Sequence, residues 1–213
     1  MTWPDFIETL YNLATPFLVV RGDLDHTRTA HQFCLNLLEA EGGDKRIAEP
    51  AVILHDVGWS TLTPEQIKMA FGVRAAGERA HRLNRIHEVE GAVIAGRLLR
   101  DQGYDPIFIE QITLMIGRHD SGNHPESMEE KILKDSDKLW RFSGCGFWHE
   151  IKRQDLDSLE LYRYLEKRRQ AWFFLPTALS LAEEELKGRD REIAYQKIAA
   201  GEVSSKKPSL LDI

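Results

Sequence analysis

The chain has 213 residues, enough for one substantial core, and its 42% hydrophobic and 29% charged residues exclude wholesale disorder. A formal net charge of -6 argues against a surface adapted throughout to nucleic acid or anionic lipid, and no apolar run is long enough to cross a bilayer. Cys34 and Cys145 supply neither a disulfide framework nor a paired-thiol zinc motif, so a reducing, cytoplasmic setting is expected.

The start, "MTWPDFIETL", has no basic segment leading into an apolar stretch, and a helix is expected there rather than a targeting leader. From Asp23, as cap, to Gly43, as stop, Ala30, Phe33, Cys34, Leu37 and Leu38 recur at helical spacing. Four residues before Ala30 comes His26, which should therefore point inward; His31 falls off the stripe and is expected in solvent. In "DKRIAEPAVILHDVGW", Ile47, Ala51, Leu54 and His55 share a face, with Pro50 kinking the helix or starting its second half.

In "RIHEVEGAVIAGRLLRDQG", His87 heads a stripe of Gly91, Ile94, Ala95 and Leu98 that Gly103 ends. Phe108, Ile112 and Met115 lead at the same spacing to His119. In "SMEEKILKDSDKLWRF", Leu133, Asp137 and Trp140 align behind Ser127 as cap and Glu130 as its capping-box partner. Residues 155–172 and 177–200 also read as helices rich in Arg, Glu and Lys, the second interrupted near Gly188; the tail "SSKKPSLLDI" reads as loosely ordered. No alternating strand is evident, so the fold class expected is all-α, with residues 1–213 as one domain.

Five helices thus each aim a metal-capable side chain along an apolar stripe. A single histidine in such a place is ordinarily a core residue hydrogen-bonded to a carbonyl. His26, His55, Asp56, His87, His119 and Asp137 together are harder to satisfy that way, and binding metal would partner all six. Imidazole nitrogen and carboxylate oxygen suit Mn, Fe, Co, Ni or Zn, and six ligands suffice for two ions about 3.5–4 Å apart if one carboxylate bridges. Asp56 is the candidate bridge.

The ordered segments "DHTRTA", "AVILHDVGW", "HEVEGAVIAGRLL", "IGRHD" and "KILKDSDKLW" resemble the HD-domain superfamily of metal-dependent phosphohydrolases over residues 23–141, leaving 142–213 as a C-terminal helical extension. The resemblance implies a helical bundle with the metal site in its core. His26, His55, Asp56 and Asp137 would hold one divalent ion, and His87 and His119, sharing Asp56, a second. Asp135 rivals Asp137, but Asp137 fits the family's Asp-basic-Leu pattern and shares a face with Leu133 and Trp140. Two departures stand out. Trp59 occupies the place where some relatives carry a phosphate-contacting lysine, and Asp120 follows His119 with no Gly-Tyr-Pro nearby, unlike the cyclic-dinucleotide phosphodiesterase branch.

The implied reaction is cleavage of a phosphoester, in a nucleotide or another small phosphorylated metabolite, by a metal-bound water. Asp120 would serve as partner to a ligand or as general base, unless it is simply an exposed carboxylate. Arg74, Arg79, Arg82, Arg85 and His81 precede His87, and Arg82 or Arg85 is the expected phosphate binder, a solvated basic face being the alternative. The resemblance leaves room for a diiron oxygenase acting on a small polyol or phosphonate, and for a non-catalytic metal-binding regulatory module. Neither a G-x-S-x-G elbow nor a P-loop occurs. Cys145 is expected in a flexible turn, His124 and His149 at the surface, and Trp172, Phe173 and Phe174 in packing. The partner expected is a small phosphorylated molecule, with no membrane and no clear nucleic-acid surface; nothing in the sequence sets an oligomeric state.

Overall fold

A computed structural model describes residues 2–73 and 75–199, so the readings placed on Arg74 and the tail lie outside the described residues. Among these residues there are ten α-helices, one short 3₁₀ helix and no strand: α1 (Trp3–Leu18), α2 (Leu24–Glu41), α3 (Lys45–Leu54), the 3₁₀ helix (Val57–Thr61), α4 (Pro64–Ala70), α5 (Glu78–Asp101), α6 (Pro106–Ile116), α7 (Met128–Leu139), α8 (Gly144–Gln154), α9 (Ser158–Trp172) and α10 (Pro176–Ala199). The all-α expectation holds.

The central element is α3, whose residues from Ile47 to Leu54 are all buried. The apolar run dictates this: a helix apolar on every side is stable only with neighbours on every side. Helices α1, α2, α6 and α7 supply them. Pro50 lies inside α3 without ending it. A proline there cannot donate to the carbonyl of Arg46, four residues earlier, and the Tyr104 hydroxyl donates to that oxygen instead, at 2.6 Å.

Several boundaries differ from expectation for physical reasons. The second helix stops at Glu41, and Gly42 takes the positive φ of +80° that closes it. Asp23 occupies the cap position of α2, but its side chain turns to Arg21 and makes no capping bond. Gly188 does not interrupt α10: Ala182, Leu186, Arg189 and Ile193 are buried around it, and that packing outweighs the roughly 1 kcal/mol a mid-helix glycine costs. Cys145 lies not in a flexible turn but in the first turn of α8, where the Ser143 hydroxyl accepts the Gly146 N–H at 3.1 Å.

His31 is the clearest correction. It is 9% exposed rather than in solvent, because Tyr11 of α1 and Glu49 of α3 close over its ring. Its Nδ1 meets the Tyr11 hydroxyl and its Nε2 meets Glu49, each at 3.0 Å, while the Trp3 indole donates to the other Glu49 oxygen at 3.0 Å. This buried chain ties α1, α2 and α3 together.

Asp135, the rival ligand, also has a structural task. Its carboxylate accepts the backbone N–H groups of Phe174, at 3.1 Å, and Leu175, at 2.9 Å, fixing the turn into α10. Burial pushes this carboxyl up to about 6. Phe142 packs against Trp172 and Phe173, the aromatic cluster expected in packing.

Candidate metal centre

Five elements bring the six side chains to one place. His26 lies in the first turn of α2, and His55 closes α3. Asp56 caps the 3₁₀ helix, His87 projects from α5, His119 follows α6, and Asp137 sits in the last turn of α7. The 3₁₀ helix lies tightly on α5 because Gly58 has no side chain; a methyl group there would overlap the carbonyl of His87 and the backbone of Gly91.

All four histidines present Nε2 to the carboxylates. His26 Nε2 lies 3.1 Å from His55 Nε2, 3.2 Å from Asp137 Oδ1 and 3.4 Å from Asp56 Oδ2. His87 Nε2 lies 3.3 Å from His119 Nε2, and each is 3.8 Å from Asp56 Oδ1. Asp56 therefore faces one histidine pair with each oxygen. Two donors bound about 2.1 Å from one ion, at angles near 90–110°, stand about 3.0–3.4 Å apart, which is the spacing within each pair.

The hydrogen-bonding pattern also fits ligation. Nδ1 of His55 donates to the Val52 carbonyl at 2.7 Å, and Nδ1 of His119 to the Ile116 carbonyl at 2.8 Å, which leaves Nε2 as a lone-pair donor in both rings. His87 is fully buried, and burial, reinforced by His119, pushes it down to about 4, so its ring is neutral near pH 7. Burial opposes ionisation of Asp56 and Asp137, yet Arg21 and the histidines hold Asp56, and His26 and His55 hold Asp137, well below the usual range. Burial equally opposes charge on His119, but Asp56 and Asp120 raise it to about 9, so a bound ion would have to displace the proton from its Nε2. Three overlapping groups, His26/His55/Asp137, His55/Asp56/His119 and His87/His119/Asp120, have the compactness a metal ion requires. The donor set and spacing fit divalent metal.

Around this floor the structure brings in residues that periodicity did not mark. Trp59 donates its indole N–H to Asp56 Oδ1 at 2.9 Å and stacks on His87 with ring centroids 4.0 Å apart. Arg21, 4% exposed, pairs with Asp23 and, at 2.5 Å, with Asp56; its guanidinium lies 4.7 Å from the Trp59 ring centroid. Glu88 accepts the N–H groups of Asp120 and Ser121, and Lys134 donates to the carbonyls of Arg118 and His119 at 2.7 Å, so the turn bearing His119 is clamped from both sides. Glu88 had a legible signal, standing three and seven residues before the buried Gly91 and Ala95. Arg21 and Arg141, in turns, had none.

A cleft of about 240 Å³ opens above the floor, with Arg21, Phe71, His81, Asn84, Asp120 and Arg141 on its walls. Asp120 is 41% exposed, its Oδ2 3.7 Å from His87 Nε2. Arg82 and Arg85 are not on these walls. Arg82 is exposed, and Arg85 turns outward to Glu88 at 2.8 Å and to the carbonyl of Gly117. The buried carboxylate of Glu88 captures the guanidinium that the sequence reading assigned to phosphate.

Comparison with known proteins agrees with this geometry. The sequence pattern of the HD domain matches residues 23–141. The backbone resembles that of a predicted HD superfamily hydrolase from an uncultured Thermotogales bacterium, with a TM-score of 0.60 and 20% identity, covering 94% of this chain and 99% of that one. No curated protein matches the chain. The pattern spans more than half of the sequence and includes all six side chains of the centre: the chain belongs to the HD domain family.

Proposed function

We propose that this protein is a metal-dependent phosphohydrolase that binds two divalent transition-metal ions, through His26, His55, Asp56, Asp137, His87 and His119, and cleaves a small phosphorylated metabolite. One observation carries the reading: two histidine pairs face the two oxygens of Asp56 at the floor of a cleft walled by guanidinium groups. Bound ions would supply positive charge to the phosphoryl oxygens and make water acidic enough to attack phosphorus near neutral pH.

The chain's own residues supply the rest. Arg21, its guanidinium 4.7 Å from the Trp59 ring centroid and 4.1 Å from that of Phe71, is placed to bind a phosphoryl oxygen when Asp56 turns to the ions. Asp120, partly exposed beside His87, is placed to take the proton from the attacking water and release it to solvent. Trp59, in the position of the missing lysine, acts on Asp56 rather than on substrate: its N–H fixes the carboxylate and its ring walls off one side of His87.

The test is phosphate release from a panel of nucleotides and sugar phosphates, with Mn, Fe, Co, Ni or Zn restored to chelator-treated protein. The proposal expects metal-dependent turnover that Asp120→Asn lowers by about 10²–10⁴ in kcat. Full metal occupancy without turnover of any phosphoester would defeat it.

A further inference from the structure

Three guanidinium groups from separate parts of the chain surround one aromatic ring. Measured to the Phe71 centroid, Arg153 lies at 3.7 Å, Arg21 at 4.1 Å and Arg141 at 6.0 Å. These are not surface arginines spread in solvent: the side chain of Arg21 is 4% exposed and that of Arg153 is 24% exposed. Like charges gathered at partial burial raise the free energy unless anions compensate them.

Among the described residues the nearby anions are largely engaged elsewhere, Asp120 included, which shares the cleft with Arg141 but sits beside His87 and His119. Asp23 pairs with Arg21, and Glu150 stands 3.6 Å from Arg153 while also accepting the Val73 N–H. Asp56 and Asp137 face the proposed ions. The guanidinium of Arg141 has no hydrogen bond or ion pair among the described residues, although it lines the same cleft as Asp137. Arg153 Nε is also buried without a hydrogen-bond partner among the described residues.

The basic wall continues past Phe71. A second recess of about 280 Å³ shares Arg21 and Phe71 with the first and adds Lys68 and Arg153. A substrate with one phosphoryl group and a neutral remainder would engage the ions and leave this row unanswered. A row of cations leading away from the reaction centre matches a row of linked anions.

Resting on the metal-centre reading above, we propose that Arg141 and Arg153 form a second anion subsite that selects substrates carrying two or more linked phosphoryl groups. Arg141 takes the phosphoryl group next to the one at the ions, and Arg153 and Lys68 serve the charge beyond it.

The experiment is calorimetric titration of the metal-loaded full chain with methylphosphonate, methylenediphosphonate and phosphonoacetate, which are not hydrolysed, with metal content measured before and after. Wild type should bind the diphosphonate at least about tenfold more tightly than either other ligand. Arg141→Gln should lose most of that preference while its affinity for methylphosphonate changes less than about twofold. Arg141→Lys, which keeps the charge but not the two-pronged geometry, should retain part of it and serves as the second variant if Arg141→Gln does not fold. Equal binding of diphosphonate and methylphosphonate by wild type, or an unchanged preference in the variants, would overturn the subsite and leave the metal centre standing. Equal binding of phosphonoacetate would overturn the assignment to linked phosphoryl groups. Failure of the chain to hold ions at all would overturn the function proposed above, and this subsite with it.

Discussion

Glu88 accepts the backbone N–H of Asp120 at 2.8 Å from a position where its own side chain is fully buried. The same oxygen takes the N–H of Ser121, and the other oxygen takes Arg85, so one carboxylate holds the turn that delivers His119. Glu88→Gln should lower stability by about 1–3 kcal/mol, the usual loss when a buried charged acceptor is replaced, and should weaken metal binding. Burial opposes ionisation of this carboxyl, but the N–H of Ser121, His119 and Arg85 hold it below its ordinary value. Its contribution is therefore fully present above the unfolded value of about 4.3 and is lost as pH falls through the lower folded value. In urea unfolding, the gap between wild type and Glu88→Gln should narrow on acidification; a gap that widens would contradict the assignment.

Gly58 is the point of closest approach between the 3₁₀ helix and α5. Gly58→Ala should cost about 3 kcal/mol or more, since rigid backbone rather than a flexible side chain blocks the methyl group. It should also lift Trp59 off His87, seen as a change in indole fluorescence of the folded protein. Normal stability together with normal fluorescence would show that the two helices are not in contact there.

Trp59→Phe keeps a ring over His87 but removes the N–H that Asp56 accepts. Metal affinity should fall by about 10–100-fold, the range for loss of a hydrogen bond to a ligand, with a smaller effect on thermal stability. Metal titration of the two proteins decides this, and equal affinities would deny Trp59 its role.

His31 provides the contrasting case. His31→Ala leaves Glu49 Oε2 and the Tyr11 hydroxyl without their partner and should destabilise the protein by about 2–4 kcal/mol. Metal content should stay at the wild-type level, because His31 belongs to the α1–α2–α3 junction. A loss of metal in folded His31→Ala would place it in the centre after all.

What was legible in the sequence followed helical period. His26, His55, His87 and Asp137 lie on stripes continuous with leucines and alanines, and the inward direction of each follows from spacing of three and four residues. His31 was misread because that rule assumes a single buried face, whereas Tyr11 of α1 and Glu49 of α3 bury a second part of α2. Arg21 and Arg141 escaped because turns have no period, and their roles depend on what folding brings opposite them. Arg85 lies off the cleft walls since its partner, Glu88, stands one turn further along the same helix, close enough to hold it there.

The central claim is that the converging histidines and carboxylates form a dinuclear centre. Elemental analysis of protein purified anaerobically without chelators, on wild type and His87→Ala together, tests it most directly. The account predicts close to two transition-metal ions per wild-type chain and about one in the folded variant, because His87 serves only the second site. Iron at both positions would keep the centre but favour oxygen chemistry over hydrolysis. Wild-type protein that holds no ion, even after each metal is offered back, would contradict the account: the inward histidines would then be core residues joined only by hydrogen bonds.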